Sequence, residues 1–331
     1  MIRLGLPIAT RHNVPYRPRR RSRRPSRAPW LLVAAAIVVI AMVAVSRTLE
    51  HTHTVRAEAS STPHTTPVVA KAPGGPVQLA VPGLVPGACM AYAPTHGNRG
   101  QTIFLDPGHG GPDPGASGTD LSGNTVLEKD ATLGVALNLL PLLRADGYRV
   151  VLSRTTDSYV IQLQSADLSQ GVLTSDAVRR DLVARVACAN AAHAAVLLSI
   201  HFDGFSDPTV GGAETLYDAV RSFASRNQTL AQDLQTALVR SLGVPDRGII
   251  PDDQLVAPTL TDAAANYGHL IELGPAQSGW VQNPSQMPGA LVEPLFVTDP
   301  AEAQMVATAA GQLHVARALQ SGLLAFLQPH A

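Results

Sequence analysis

From about position 100 onward, hydrophobic and polar positions follow two periods. Short apolar runs over Thr102–Leu105, Arg149–Ser153, Ala195–His201, Ala213–Tyr217 and His269–Leu273 predict strands. Between and after them, Glu128–Ala145, Asp176–Ala194, Ser222–Leu242 and Pro300–Leu327 carry the 3.6-residue repeat and predict helices, the last opening with Asp299 as N-cap before a first-turn Pro300. Strands interleaved with helices predict the α/β class: one domain over 99–331 whose twisted, mainly parallel or mixed sheet is flanked by helices. No internal repeat is present.

Upstream the pattern changes twice. Residues 47–98 have proline every few positions and no sustained apolar period, so they read as an extended spacer, with His51, His53 and His64 as solvated linker residues. Before it, "WLLVAAAIVVIAMVAV" belongs to a stretch of 19 residues without charge between Arg27 and Arg47. At about 1.5 Å per residue this approaches a bilayer's hydrocarbon thickness of roughly 30 Å. Residues 29–46 therefore read as a transmembrane anchor, with a cleaved signal segment as the alternative because Ala44 and Ser46 form a small-x-small site.

Charge adds direction to that reading. The chain of 331 residues has zero formal net charge, yet residues 1–28 hold nine arginines and no acid. This excess places the basic tail in the cytoplasm and all that follows the apolar run outside: a single-pass membrane protein, or a secreted one if residues 1–46 are removed. A nucleic-acid patch is set aside, since a membrane segment follows the arginines at once. Disorder throughout is excluded by a composition that is 45% hydrophobic and 15% charged. In an oxidising compartment Cys89 and Cys188 would pair as an intramolecular disulfide, or stand as two separate buried thiols.

Candidate chemistry gathers at strand ends, where ligands of such sheets collect. "DPGHGG" with His109 follows the first strand, "HFDG" with His201 and Asp203 follows the third, and the last strand holds Glu272; Glu128 opens a helix. Two imidazoles and a carboxylate meeting at one point would make a His, His, Glu zinc site with its fourth position open. Singly, each has a plainer role: Glu128 against the helix dipole, His109 in a turn, His201 at a strand end, Glu272 paired with an arginine.

The motifs "IFLDPGHGGPDPGASG", "LEKD", "GYRVVLSRTTD", "RVACAN", "LLSIHFDG", "GAETLY", "DRGI" and "LIELG", in this order, resemble the zinc-dependent N-acetylmuramoyl-L-alanine amidases of bacterial cell walls over roughly 101–327. The resemblance implies one zinc ion on His109, Glu128 and His201, Glu272 as the catalytic carboxylate, and peptidoglycan as substrate, cut between N-acetylmuramic acid and L-alanine. A zinc peptidase acting elsewhere on the wall and a silent wall-binding module are the competing readings. Arg154 and Arg185 match family arginines and read as ion-pair partners, while His269 is expected to face away from the metal. Asp203 reads as a partner of His201 or a substrate contact. "PAQSGW" after "LIELG" departs from the family's FLSN-like segment, and 157–181 is long enough to form a rim or lid. The short "GFSDPTVGG" leaves no room for a helical plug, so an open groove is expected.

Overall fold

The computed structural model describes residues 75–255 and 266–328. The basic tail, the apolar run 29–46 and the spacer up to residue 74 lie outside the described residues. Among the described residues, no helix is long and apolar enough to cross a membrane.

Eight strands form one mixed sheet: β1 (Val77–Gln78), β2 (Met90–Tyr92), β3 (Thr102–Pro107), β6 (Arg149–Leu152), β9 (Val196–Ile200), β10 (Ala213–Tyr217), β11 (Asp246–Pro251) and β12 (Gly289–Glu293), in spatial order β1-β2-β6-β3-β9-β12-β10-β11. Two small hairpins stand apart, β4 (Ser117–Thr119) with β5 (Thr125–Leu127) and β7 (Leu168–Ser169) with β8 (Val172–Leu173). Among the described residues the helices are α1 (Glu128–Ala145), α2 (Ser175–Ala191), α3 (Ala224–Leu242), α4 (Pro300–Val306) and α5 (Ala309–Leu327). The α/β class and all four expected helices stand, the last one divided after Val306.

Central β3 and β9 are buried along their whole length, as expected of strands covered on both faces. Leu139 and Leu143 of α1, Leu234 of α3 and Leu319 and Leu323 of α5 pack with Ile103, Leu105 and Leu198 on one face. On the other, Cys188 and Ala189 of α2 and Leu273 pack with Phe104 and Leu197. Parallel pairing of β6, β3, β9 and β12 brings four carboxyl ends to one end of the sheet. β10 runs antiparallel to β12 and parallel to β11, so these two open at the opposite end.

Two expectations need correction. The spacer does not reach residue 98: β1 and β2 add antiparallel to the sheet edge through β6, and the Cys89–Cys188 disulfide ties this segment to α2 with Cα atoms 5.7 Å apart. A bridge closing a loop of 99 residues restricts the unfolded chain by about 4–5 kcal/mol on the chain-entropy account. Second, His269–Leu273 is no strand. Its backbone turns, with the amides of Leu273 and Gly274 both donating to the Leu270 carbonyl, and the place beside β9 belongs to Gly289–Glu293. The apolar run "HLIEL" is satisfied by a buried turn, because Ile271 and Leu273 reach apolar neighbours without sheet pairing.

Candidate metal centre

His109 leaves the end of β3 in a left-handed conformation, φ 60°, a backbone state that costs a non-glycine residue about 1–3 kcal/mol and persists where surroundings enforce it. Three residues enforce it here. Arg185 donates to the His109 carbonyl at 2.8 Å, Arg154 donates to the carbonyls of Pro107 and Gly108 at 2.9 Å each, and Nδ1 of His109 meets Asp113 Oδ2 at 2.9 Å. Arg185 is the expected ion-pair partner, bound to Asp106 and Asp181. Arg154 is fully buried and spends its donors on carbonyls and Thr132 Oγ1 instead, and burial lowers its pKa to about 10.

His201 follows β9 directly, its amide bonded to the Val292 carbonyl. Glu128 is the first residue of α1, and its carboxylate is fixed by two backbone amides, Ala116 to Oε2 at 2.7 Å and Phe202 to Oε1 at 3.0 Å. The three side chains converge. Glu128 Oε1 lies 2.9 Å from His109 Nε2 and 3.0 Å from His201 Nδ1, and the two imidazole nitrogens are 3.1 Å apart. Glycine is required around them: a Cβ on Gly108 would sit 2.3 Å from the His201 ring, and one on Gly115 would sit 2.4 Å from Glu128 Oε2. The costly loop is glycine-rich because it is pressed against its own ligands.

This triangle fits a zinc ion. Tetrahedral ligands at bond lengths of about 2.0–2.1 Å stand roughly 3.3 Å apart, and two imidazoles with one carboxylate make a donor set that leaves a fourth position free. Charge agrees. Burial alone would discharge His109, yet Glu128 and Asp113 facing the ring raise its pKa to about 10, so the pocket calls for a cation. Asp113 holds the second nitrogen of His109, the role an outer carboxylate plays for a ligating imidazole.

The structure does not bring Glu272 to this group. Ser199 Oγ donates to its Oε2 at 3.1 Å, and its charged neighbours are Asp106 and Arg185, not the three ligands. Burial, and then the Asp106 charge, push its carboxyl well above the usual range. The acid on the ligand side of the sheet is Glu293, at the end of β12, in register beside His201 and close enough to Glu128 to feel its charge. Its Oε2 is shielded from solvent and has no hydrogen-bond partner, and its pKa is raised well above normal by burial, then by Glu128, Asp203 and Glu214. Sequence reading missed both Asp113 and Glu293. The signals were "GPDPG" and "GALVEPLFV", the second an apolar run ending in a carboxylate and followed by the apolar pair that "PAQSGW" lacks. Asp203 makes no hydrogen bond to His201. It accepts from the Gly204 amide at 2.6 Å, and burial raises its pKa to about 6.

A family model described as N-acetylmuramoyl-L-alanine amidase matches residues 103–325, from β3 to the end of α5. The chain is 30% identical over 227 residues to the N-acetylmuramoyl-L-alanine amidase LytC of Bacillus subtilis, covering 69% of this chain but 36% of that protein. The match spans about a third of that relative. It is also 30% identical over 227 residues to the germination-specific N-acetylmuramoyl-L-alanine amidase of the same species, covering 69% of this chain and 80% of the relative. Among solved structures, the CwlD amidase from Clostridioides difficile, in complex with the GerS lipoprotein, shares the fold at a TM-score of 0.54 and 24% identity, over 69% of this chain and 98% of that one. The family match takes in all three convergent ligands, and the chain belongs to the N-acetylmuramoyl-L-alanine amidase family.

Proposed function

We propose that this chain hydrolyses the amide bond between N-acetylmuramic acid and L-alanine in peptidoglycan, with zinc held by His109, Glu128 and His201 and with Glu293, not Glu272, as the general base. The observation that carries the reading is the three-ligand triangle with an unpartnered, raised-pKa carboxylate at the neighbouring strand end. When bound, zinc supplies Lewis acidity to the scissile carbonyl and to an attacking water.

The chain's own residues do the rest. Asp113 holds the His109 ring so that Nε2 faces the ligand centre, and the Ala116 and Phe202 amides keep Glu128 from swinging out. Glu293, on a rigid strand end and free of competing hydrogen bonds, takes a proton and returns it to the leaving amine of L-alanine. Its pKa, raised by burial and three carboxylates, suits a base that must also serve as an acid. Asp203, two residues beyond His201 and with no bond to it, keeps the reading of a substrate contact.

Among the described residues, the segment after Asp203 carries no helix before β10, which supports an open groove. The segment expected as a rim folds in part as the β7–β8 hairpin. Residues 29–46 would anchor the enzyme with its domain extracytoplasmic, supported by the flanking arginines and by a disulfide that needs an oxidising compartment. The test is digestion of purified cell wall followed by mass spectrometry. Intact stem peptides ending in a free L-alanine amine are expected, and fragments cut within the stem would overturn the assignment.

A further inference from the structure

The opposite end of the sheet holds a second convergent trio. Asp218 follows β10, Asp252 follows β11, and His269 stands on the turn that replaced the expected strand. Asp218 lies level with Gly289, four residues from Glu293 along β12, so about 13 Å of strand separates this place from the catalytic end. It is no extension of the site above.

Both aspartates are completely buried. Each spends one oxygen on backbone: Asp218 Oδ1 accepts from Val220 and Arg221 amides at 2.9 and 2.7 Å, and Asp252 Oδ2 accepts from Leu270 at 2.9 Å. Each turns its other oxygen to the same nitrogen. Asp218 Oδ2 and Asp252 Oδ1 both stand 3.2 Å from Nδ1 of His269, and Asp218 Oδ2 has no hydrogen bond at all. One Nδ1–H can serve only one acceptor, so the imidazole cannot satisfy both carboxylates.

The neighbouring cation and phenol do not resolve this. Arg221 directs its guanidinium to the carbonyls of Leu273, Gly274 and Ser285, and the Tyr267 hydroxyl donates to the Pro275 carbonyl. Two buried carboxylates facing each other with one imidazole carry a large desolvation penalty unless a cation sits between them. The separations of 3.2 Å match those expected between ligands of a tetrahedral ion, and resemble the edges of 2.9–3.1 Å in the first trio.

We infer that Asp218, Asp252 and His269 form a second metal site, taking a divalent transition ion such as zinc, which pins the ends of β10 and β11 to the turn over 266–274. An imidazole with two carboxylates suits zinc or manganese more than calcium, which prefers oxygen alone. The ligands are one side-chain atom from each residue, and the deep burial of both aspartates marks a structural rather than a catalytic ion.

The experiment counts metal on the full chain, purified in detergent, stripped with chelator, reloaded with Zn²⁺ and passed through metal-free gel filtration. Wild type should retain two equivalents. A His109→Ala, His201→Ala variant should retain one, and Asp218→Asn with His269→Ala should retain one and, zinc-loaded, unfold at a lower temperature than zinc-loaded wild type, with a smaller rise on adding Zn²⁺ to the stripped protein. Retention of none by the His109→Ala, His201→Ala variant, when wild type holds one, would overturn the second site while leaving the first intact. One equivalent in wild type that survives His109→Ala, His201→Ala would support the second site and sink the first. Co²⁺ loaded into that same variant gives a check that needs no change at the new site: visible ligand-field bands are expected, and their absence would overturn the inference.

Discussion

The two ends of the central sheet each gather histidine and carboxylates, and they are built to different standards of closure. At the β3, β9 and β12 end the imidazoles keep 14–19% of their side-chain surface in solvent, one ligand sits on a left-handed backbone, and Glu293 waits without a partner. At the β10 and β11 end the imidazole is exposed to a similar degree, 16%, but it faces two carboxylates with no exposure at all, against a single one at 5% in the first trio, and no strained backbone carries a ligand. The difference teaches what reactivity requires. An ion meant to meet a polymer needs an open coordination position and a nearby idle base, whereas an ion meant to hold a fold needs neither.

The strongest way to break this comparison is to remove the first end outright. His109→Ala with His201→Ala should reduce wall hydrolysis to background while circular dichroism and the cooperative thermal transition persist, because a core of this size does not depend on one surface-facing ion. Hydrolysis surviving in that variant would mean that the exposed trio is not the reactive one. Next in size is Glu293→Gln, which keeps the bulk and removes the base. Turnover should fall by roughly 10²–10⁴ with zinc retained; loss of zinc instead would make Glu293 a ligand.

How much of this could be read from the chain follows from where each signal lies. His109, Glu128 and His201 each sit at a local boundary between an apolar run and a loop or helix, so the letters themselves mark them. Glu272 and Glu293 are ambiguous because "LIEL" and "ALVE" are the same pattern, and only the pairing of Gly289–Val292 with Leu197–Ile200 decides which glutamate stands beside His201. That pairing is tertiary and leaves no local trace. β1 and β2 were hidden for another reason: strands of two and three residues within a proline-rich stretch carry no period, and the sheet accepts them because β6 and the disulfide hold the segment in place. The second trio is invisible for a third reason, since Asp218, Asp252 and His269 are ordinary residues until β10 and β11 align.

A milder change sharpens the contrast at the open end. Asp113→Asn leaves the three ligands in place but weakens the hold on the second nitrogen of His109, now fixed at 2.9 Å. Zinc affinity should drop by about 10–100-fold, with full activity restored at saturating Zn²⁺. If saturation fails to restore turnover, Asp113 acts on substrate and not through His109.

The smallest expected effect on turnover belongs to Glu272→Gln, and it separates the buried network from the reactive end. Asp106 keeps the negative charge beside Arg185, and Glu272 next to it is held as the neutral acid by burial and by that charge. A carboxamide closely resembles a neutral carboxyl, so hydrolysis should stay near the wild-type rate. Stability should respond instead. A carboxyl whose folded pKa lies above its unfolded value binds more protons in the native state, so its contribution falls as pH rises above the unfolded value of about 4.3, by at most about 1.4 kcal/mol per pH unit until the folded pKa is reached. Glutamine has no such proton to lose. Thermal unfolding followed from pH 5 to pH 8 should therefore show the variant gaining on wild type as pH increases. A constant gap would show that Glu272 is ionised in the folded protein, and a large loss of turnover would return it to the role its motif first suggested.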